Sequence, residues 1–430
     1  MDFTDGFSYR EGALVCEGIP VEDIVRETGT PTYVYSLDAV LRRYERHIAA
    51  FSGLRHQVCY AVKANTSLAL LQVLARTGAG FDVNSRGELR RALRAGADPA
   101  RIIMTGVGKS QQDIEEALDA DIAWFNAESA SECRLISDIA AARGTTARVL
   151  LRLNPDVDAG THPYISTGEL DHKFGLSAAD VRSLAAQAGW LPGVRIAGLA
   201  FHLGSQIFSA IPYHEALRHL MRTLEAISDM LDLTHPVIDI GGGFGVPYDE
   251  DTEELDPGVI AEMLLDFLGP RAANVTVITE PGRSLVANAG ILVSSVEHVK
   301  PSGNRIFLIL DAGMNDLLRP ALYSADHGIV PLREPHGSVT VFYDVVGPVC
   351  ESSDTFARRF PMPEMERGDL VALLSAGAYG ASMSSTYNSR PLAAEAVVLE
   401  GAWHLARRRQ SIEALLADER PLTGPGESPG

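Results

Sequence analysis

The sequence predicts an α/β chain in which a (β/α)8 TIM barrel is joined to a mostly β C-terminal domain, with an N-terminal segment completing that domain. Three observations lead there. Eight apolar, β-branched runs alternate with helix-like stretches, nearly all eight end in polar or reactive residues, and the texture turns strand-rich after residue 285. The runs are QVCYAVKAN (57–65), AGFDVNS (79–85), RIIMTGV (101–107), IAWFNAES (122–129), RVLLRLNP (148–155), RIAGLAFHLGS (195–205), VIDIGGGFG (237–245) and TVITEPGRS (276–284). Between the early ones lie SLALLQVLARTG, RGELRRALRAG and QDIEEALDA, with Ser110 and Asp113 forming an S-x-x-D start signal for the third. A doubly wound open sheet would show the same alternation. The count of eight favours the barrel, as does a window 37–284 of 248 residues against the ~250 typical of that fold.

After residue 285, ILVSSVEHV, RIFLILDAG, SVTVFYDVV, GDLVALLSA and AEAVVLEGAWHL read as strands, and SYREGALVCEG and PTYVYS join them from the N-terminal side. The expected organisation is a barrel over 37–284, a β-domain from 1–36 and 285–420, and a disordered Pro/Gly-rich tail over 421–430.

Composition narrows the partners. The chain has 430 residues, 46% of them hydrophobic, and its 37 Lys+Arg against 56 Asp+Glu give a net charge of −19. That balance argues against nucleic acid or an anionic membrane as the main partner, while leaving room for a local basic site. The opening MDFTDGFSYREG puts acids where a signal peptide needs a basic segment, and no apolar run approaches the ~20 residues of a membrane span. Cysteines 16, 59, 133 and 350 form no CxxC pair and the histidines no HExxH, so no metal is expected. A reducing, cytoplasmic setting is the expectation.

In a barrel, the C-terminal strand ends converge on one face, where such folds carry their sites. Those ends offer Lys63, Asp82 with Ser85, Asn126, Asn154, His202 with Ser205, Gly241-Gly242-Gly243, and Glu280 with Arg283. GGGFG after strand seven and Arg283 after strand eight suit an anion, since glycines let backbone N–H groups approach and Arg adds charge-assisted bonds. A Gly triplet alone is more often a tight turn. Nucleotide motifs fail: Val246 stands where G-x-G-x-x-G needs its last Gly, and Ile103 where a Walker loop ending in GVGKS needs its first. Lys63, in an apolar strand, is either a rim lysine or chemically employed. A lysine, an anion cradle and a carboxylate facing one another are what pyridoxal phosphate requires: a Schiff-base amine, a phosphate site and an acid at the ring nitrogen. Glu280 suits the last role. His202, otherwise a core histidine, could stack on the ring, with Ser205 reaching the phosphate. The β-domain adds Asn315, Asp316, Arg319 and Tyr323, then Cys350 beside Glu351, then Tyr379 and Tyr387, in small polar loops that are poor core material.

YAVKAN, FDVNSRGEL, NPDVDAGTHPYISTG with KFGL, FHLGSQ, DIGGGFG, EPGRSLV, DAGMNDLLRPALY, VGPVCESSD and GAYGASMSSTYNSRP run from about residue 60 to 391. In that order they resemble the fold-type III pyridoxal-phosphate decarboxylases, whose barrel is alanine racemase-like, and most closely the bacterial diaminopimelate decarboxylase branch. EPGR, GGGFG and FHLGS are shared with ornithine and arginine decarboxylases, whereas THPYISTG with KFG, and MNDLLRPALY with CESSD, look specific to the diaminopimelate branch. The resemblance implies decarboxylation of meso-2,6-diaminopimelate at its D-centre to L-lysine and CO2, the last step of lysine biosynthesis. It implies that Lys63 bonds the cofactor, Glu280 pairs with the pyridine nitrogen and His202 stacks on the ring. Asp82, Ser205, Gly241–Gly243, the Glu280-Pro281-Gly282-Arg283 turn and Tyr379 would complete the cofactor site. Cys350 would be the proton donor, supplied with Glu351 by the partner subunit of a homodimer. Arg319, with Arg283, Tyr323, Tyr379 and Glu351, would take the distal α-amino acid of the substrate. A sibling decarboxylase acting on ornithine, arginine or a related amino acid is the alternative. An alanine racemase would carry Arg where Glu280 stands, and a silent regulator would be expected to lose Lys63 or Cys350.

Overall fold

The computed structural model describes residues 4–158, 168, 173–231, 233–249, 252–335 and 339–422. Eight strands run parallel: His56–Ala61, Gly80–Val83, Ile102–Met104, Trp124–Ala127, Ala147–Arg152, Val194–Ala200, Val237–Asp239 and Thr276–Thr279. The last pairs with the first, Val277 opposite His56 and Thr279 opposite Val58, so the sheet closes. Closure leaves no edge, which excludes the open doubly wound alternative.

Side chains alternate along each strand, so residues two apart share a face. Cys59, Ile103, Leu150, Val237 and Ile278, with Trp124 and Ala200, form a cluster separate from the large core that packs strands on helices. Two residues beyond these lie Thr105, Asn126, Arg152, His202, Asp239 and Glu280. Six of the eight strands thus carry an apolar floor residue and, one step on, a polar group at the C-terminal mouth. The strands end sooner than the sequence reading had them, at Ala61 rather than 65 and at Asp239 rather than 245. Lys63, Thr105, His202, Glu280 and Arg283 occupy the turns just past the ends, while Asp82, Asn126, Arg152 and Asp239 sit in the last residues of their strands.

The three early helices form at Leu68–Arg76, Arg86–Arg94 and Gln111–Asp119. Ser110 and Asp113 close a reciprocal capping box on the third, as expected from S-x-x-D. No described helix is long and apolar enough to cross a membrane.

The second sheet runs in the order Thr355–Pro363, Thr340–Val346, Arg305–Leu310, Gly290–Ser302, Thr32–Ser36, Ala394–Leu399 and Ala402–Arg407. Thr32–Ser36 is central and wholly buried, antiparallel to Gly290–Ser302 and parallel to Ala394–Leu399. The expected joining of PTYVYS to the downstream strands is therefore present. SYREGALVCEG instead folds on itself, as strands Phe7–Arg10, Ala13–Cys16 and Ile19–Pro20, and attaches through Leu14 N to Leu332 O at 2.7 Å. Thr355–Pro363 escaped the sequence reading because Arg358, Arg359 and Pro361 hide its alternation.

Loops of this second region are tied to the barrel mouth. Asn65 Nδ2 donates to Gly377 O at 2.9 Å, Tyr379 N donates to Ala64 O at 2.8 Å, and Ser382 Oγ donates to the same oxygen at 3.2 Å. Gly377 is required by close approach: a Cβ there would lie 1.9 Å from Val286 O. Gly377→Ala is expected to destabilise the protein by roughly 3 kcal/mol or more, because backbone must move on both sides. A urea melt measures it, and an unchanged midpoint would contradict this junction.

Candidate active site

Lys63 sits in a single 3-10 turn, Val62–Ala64, directly after the first barrel strand. Its side chain is 37% exposed, and it is a wall residue of a cavity of about 280 Å³ at the barrel mouth. Asn84, Thr105, Arg152, His202, Ser205, Glu280, Arg283, Tyr323 and Tyr379 share that wall. Lys63 Nζ lies 3.4 Å from Asp82 Oδ2, and Asp82 itself has no solvent contact. Burial pulls the ammonium down, but Asp82 first, then Tyr379 and Glu280, more than reverse it, so Lys63 sits above its ordinary range.

The floor beneath Lys63 is acidic. Asn126 Nδ2 donates to Asp239 Oδ2 at 2.9 Å and reaches Glu280 Oε1 at 3.3 Å, while Thr105 Oγ1 donates to the same Glu280 oxygen at 3.3 Å. Gly241 N donates to Asp239 Oδ1 at 2.8 Å. Burial raises both carboxyls, Asp239 to about 6 and Glu280 further, because Asp239 and Asp82 stand beside it. The two carboxyls titrate as a pair that shares a proton. Lys63 and Asp82 balance, so the pair leaves one buried negative charge that a cationic ring N–H would match. Asp239 was missed by sequence reading, although an acid inside the apolar run VIDI was the available signal.

The opposite wall is cationic. Arg283 donates to Ser205 Oγ from Nε at 3.1 Å and from Nη2 at 3.0 Å, and to the Tyr248 hydroxyl from Nη1 at 2.8 Å. Its guanidinium lies 4.7 Å from the Tyr379 ring centroid. Arg319 stacks on Tyr248 at 4.3 Å and donates to His327 Nε2 at 2.9 Å. Both arginines are buried, and among the described residues neither pairs with a carboxylate. Burial raises the Tyr248 phenol, but Arg283 and Arg319 outweigh it and hold it below its usual value. Neither Tyr248 nor His327 carried a sequence signal: Tyr248 acts through arginines distant along the chain, and His327 through Arg319 eight residues before it and the remote Leu374 carbonyl.

Several expected residues do other work. Gly241 and Gly243 adopt φ of +68° and +104°, and a Cβ at Gly242 would lie 2.1 Å from Glu280 O, so the triplet packs tightly under His202, which accepts from Gly242 N at 3.2 Å. The tight-turn reading of GGG is therefore correct, and none of the three is a wall residue of the cavity. Pro281 O accepts from Ala61 N at 3.0 Å, and a Cβ on Gly282 would crowd Ala61 and Ala64 at 3.1 Å, so both residues press the Glu280–Arg283 turn onto the Lys63 turn. Ser85 caps the Arg86–Arg94 helix, and Asn154 Nδ2 donates to Phe174 O at 3.1 Å. Lys109 of GVGKS is buried, with Nζ donating to Gly106 O, Asn126 O and Glu132 at 2.6–2.8 Å. Residues 161–167 of THPYISTG and 423–430 of the tail lie outside the described residues.

Cys350 and Glu351 do not line their own chain's cavity. Both are exposed, with Cys350 Sγ accepting from Asn388 Nδ2 at 3.5 Å and Glu351 from the Tyr387 hydroxyl at 2.6 Å. Asp354 sets the turn, taking Val349 N and Met314 N, each at 2.7 Å.

A family model described as "Pyridoxal-dependent decarboxylase, pyridoxal binding domain" matches residues 37–287. The chain belongs to the pyridoxal-dependent decarboxylase family. It is 43% identical over 419 residues to the diaminopimelate decarboxylase of Pseudomonas aeruginosa, covering 97% of this chain and 99% of that one. The crystal structure of diaminopimelate decarboxylase from Helicobacter pylori complexed with L-lysine is similar at TM-score 0.87 and 40% identity, over 92% of this chain and 98% of that one. The enzyme from M. jannaschii in co-complex with L-lysine is similar at TM-score 0.91 and 33% identity, covering 97% and 98%. The donor set fits the cofactor of pyridoxal-dependent decarboxylases: an amine at the cavity wall, a buried acid pair with one unbalanced charge, and a buried arginine without a carboxylate.

The acid pair has a pH consequence. Both folded-state values lie above the unfolded ones, so the stability involved is complete below about pH 4. It is lost as pH rises through about 6 for Asp239 and further for Glu280. Cofactor-free protein is expected to weaken as pH rises from about 4 through about 6 and beyond, and Glu280→Gln to flatten that slope. Urea melts at the two ends measure it; equal slopes would exclude the shared proton.

Proposed function

We propose that this chain decarboxylates meso-2,6-diaminopimelate at its D-centre, with pyridoxal 5'-phosphate, giving L-lysine and CO2 as the last step of lysine biosynthesis. The observation that carries the reading is two buried arginines gathered on Tyr248, without a carboxylate among the described residues, beside a lysine that faces the carboxylates of Asp82 and Glu280. Near full-length likeness to diaminopimelate decarboxylases supports it.

The cofactor, when bound, supplies an electron sink for the pair released at the substrate's α-carbon. In this reading Lys63 bonds the cofactor carbonyl, and Asp82 holds the amine in place. Glu280, backed by Asp239, keeps a proton at the ring nitrogen, and His202 lies flat against the ring. Burial, Lys63 and Arg152 hold His202 well below its usual value, so it stays a neutral stacking surface. Ser205, the Gly241–Gly243 loop, the Pro281-Gly282 turn, Arg283 and Tyr379 hold phosphate. Arg319 takes the distal carboxylate with Tyr323, and Arg283 and Tyr379 close that side. A substrate with only a distal amine would leave Arg319 as a buried cation without a partner.

Cys350 and Glu351 enter this reading from the partner subunit of a homodimer, as proton donor and ammonium ligand. Their exposure on a single chain supports a role across an interface. The enzyme would work in the cytoplasm on a small amino-acid substrate, without nucleic acid, membrane or metal. The free state of all four cysteines agrees with a reducing setting.

Three measurements follow from these roles. Purified protein given diaminopimelate should release lysine and CO2, with ornithine and arginine turned over at least about 100-fold less efficiently; lysine release from none would sink the reading. Lys63→Ala should lack the visible absorption of the loaded enzyme, and a retained, borohydride-reducible chromophore would refute the assignment. Mixed Lys63→Ala and Cys350→Ala chains should regain partial activity, whereas no recovery despite subunit exchange would argue for self-contained sites.

A further inference from the structure

Arg319 is gripped by groups that its own segment does not supply. Its Nη1 donates to His327 Nε2 at 2.9 Å, its guanidinium stacks 4.3 Å from the Tyr248 centroid, and the His327 and Tyr248 rings meet edge-on at 5.3 Å. His327 Nδ1 lies 2.7 Å from Leu374 O. A carbonyl can only accept and a guanidinium can only donate, so one neutral tautomer satisfies both: hydrogen on Nδ1, lone pair on Nε2. Burial, then Arg319, with Arg283 also contributing, pushes His327 down to about 3, so the ring remains neutral over the working range. The groups facing it are Arg319, Arg283, the Tyr248 phenol and the Leu374 carbonyl.

The consequence for Arg319 is geometric. A guanidinium is a planar fork, and fixing one Nη donor together with the stacking plane fixes the rest. Arg319 Nε is buried and has no acceptor among the described residues. We propose that His327 is a positioning residue for substrate selection: by accepting from Arg319 Nη1 it holds the guanidinium plane so that the remaining donors are kept for the distal carboxylate of the substrate. The inference rests on the reading of Arg319 as the distal-carboxylate site.

Two near-isosteres separate positioning from anchoring. His327→Asn keeps a donor for Leu374 O but loses the acceptor at the Nε2 position. His327→Gln keeps that acceptor and loses the donor to Leu374. Loss of the acceptor is expected to raise KM for diaminopimelate and the inhibition constant of L-lysine together by about 10- to 100-fold. L-Lysine retains the distal α-amino acid, so both constants read the same contact. In His327→Asn, kcat should change by less than about threefold, and His327→Gln should stay near wild type in all three constants. Inhibition by 1,5-diaminopentane, the same chain without carboxylates, should be unaffected by either. Equal effects of the two variants, a larger effect of Gln, or a change confined to melting temperature would overturn the positioning role. Arg319→Met is the separate control: an unchanged KM there would dismiss the carboxylate site itself, whereas a raised KM with an inert His327→Asn would dismiss only His327.

Discussion

One buried negative charge, left over where Asp239 and Glu280 share a proton beneath Lys63, is the constraint on which the rest of the barrel mouth depends. Unpaired charge in a low-dielectric interior is costly, and it persists only where surrounding structure fixes it or a ligand neutralises it. Here the fixing is done by Asn126 and Thr105 from the side and by the Gly241 N–H from the next turn. The opposite wall carries the complementary surplus, on Arg283 and Arg319. The cavity is thus polarised, with an acidic floor and a basic wall. A chain of net charge −19 can still present a cationic surface to a ligand, because two buried arginines concentrate positive charge at one place.

Strand alternation generates that polarity cheaply. Placing an apolar residue and then a polar one on the inward face of six of the eight strands yields a dry floor and a reactive rim from one period-two rule. Most of what the site needs could therefore be read from the chain. Lys63, Glu280, His202 and Arg283 each stand within a few residues of a strand end, and short helices between strands kept the count unambiguous. What could not be read was pairing between segments remote from one another. Tyr248 matters only because two arginines meet on it, and His327 only because Arg319 and Leu374 flank it. Ser85 and Asn154 look like rim residues in sequence but are bound into a helix cap and a loop. Arg358 and Arg359 concealed a strand, since alternation is legible only when one face is apolar.

The glycines of GGGFG and GVGKS carry a second lesson. The GGG run suggested an anion cradle, yet its first demand is steric: carbonyls of Phe201, Gly204 and Glu280 occupy the places where side chains would go. The tight turn sets the geometry, and its Gly242 N–H is spent on His202, which does line the cavity. GVGKS shows the opposite outcome, where a motif of phosphate-binding appearance is wholly structural, its lysine consumed by two carbonyls and Glu132.

The central place of Thr32–Ser36 in the second sheet bears on how the protein is made. Its two neighbours, Gly290–Ser302 and Ala394–Leu399, are synthesised long after it and on the far side of the whole barrel. A ribosome therefore exposes a strand that ends wholly buried, with both edges open, while the barrel completes itself behind it. The Tyr379 loop that braces the Lys63 turn arrives in the same late stretch. During translation the barrel can close as a unit, but its reactive lysine acquires a finished environment only when the last strands are out. The Lys63 turn therefore has its full set of backbone partners only once residues 377–382 have been made.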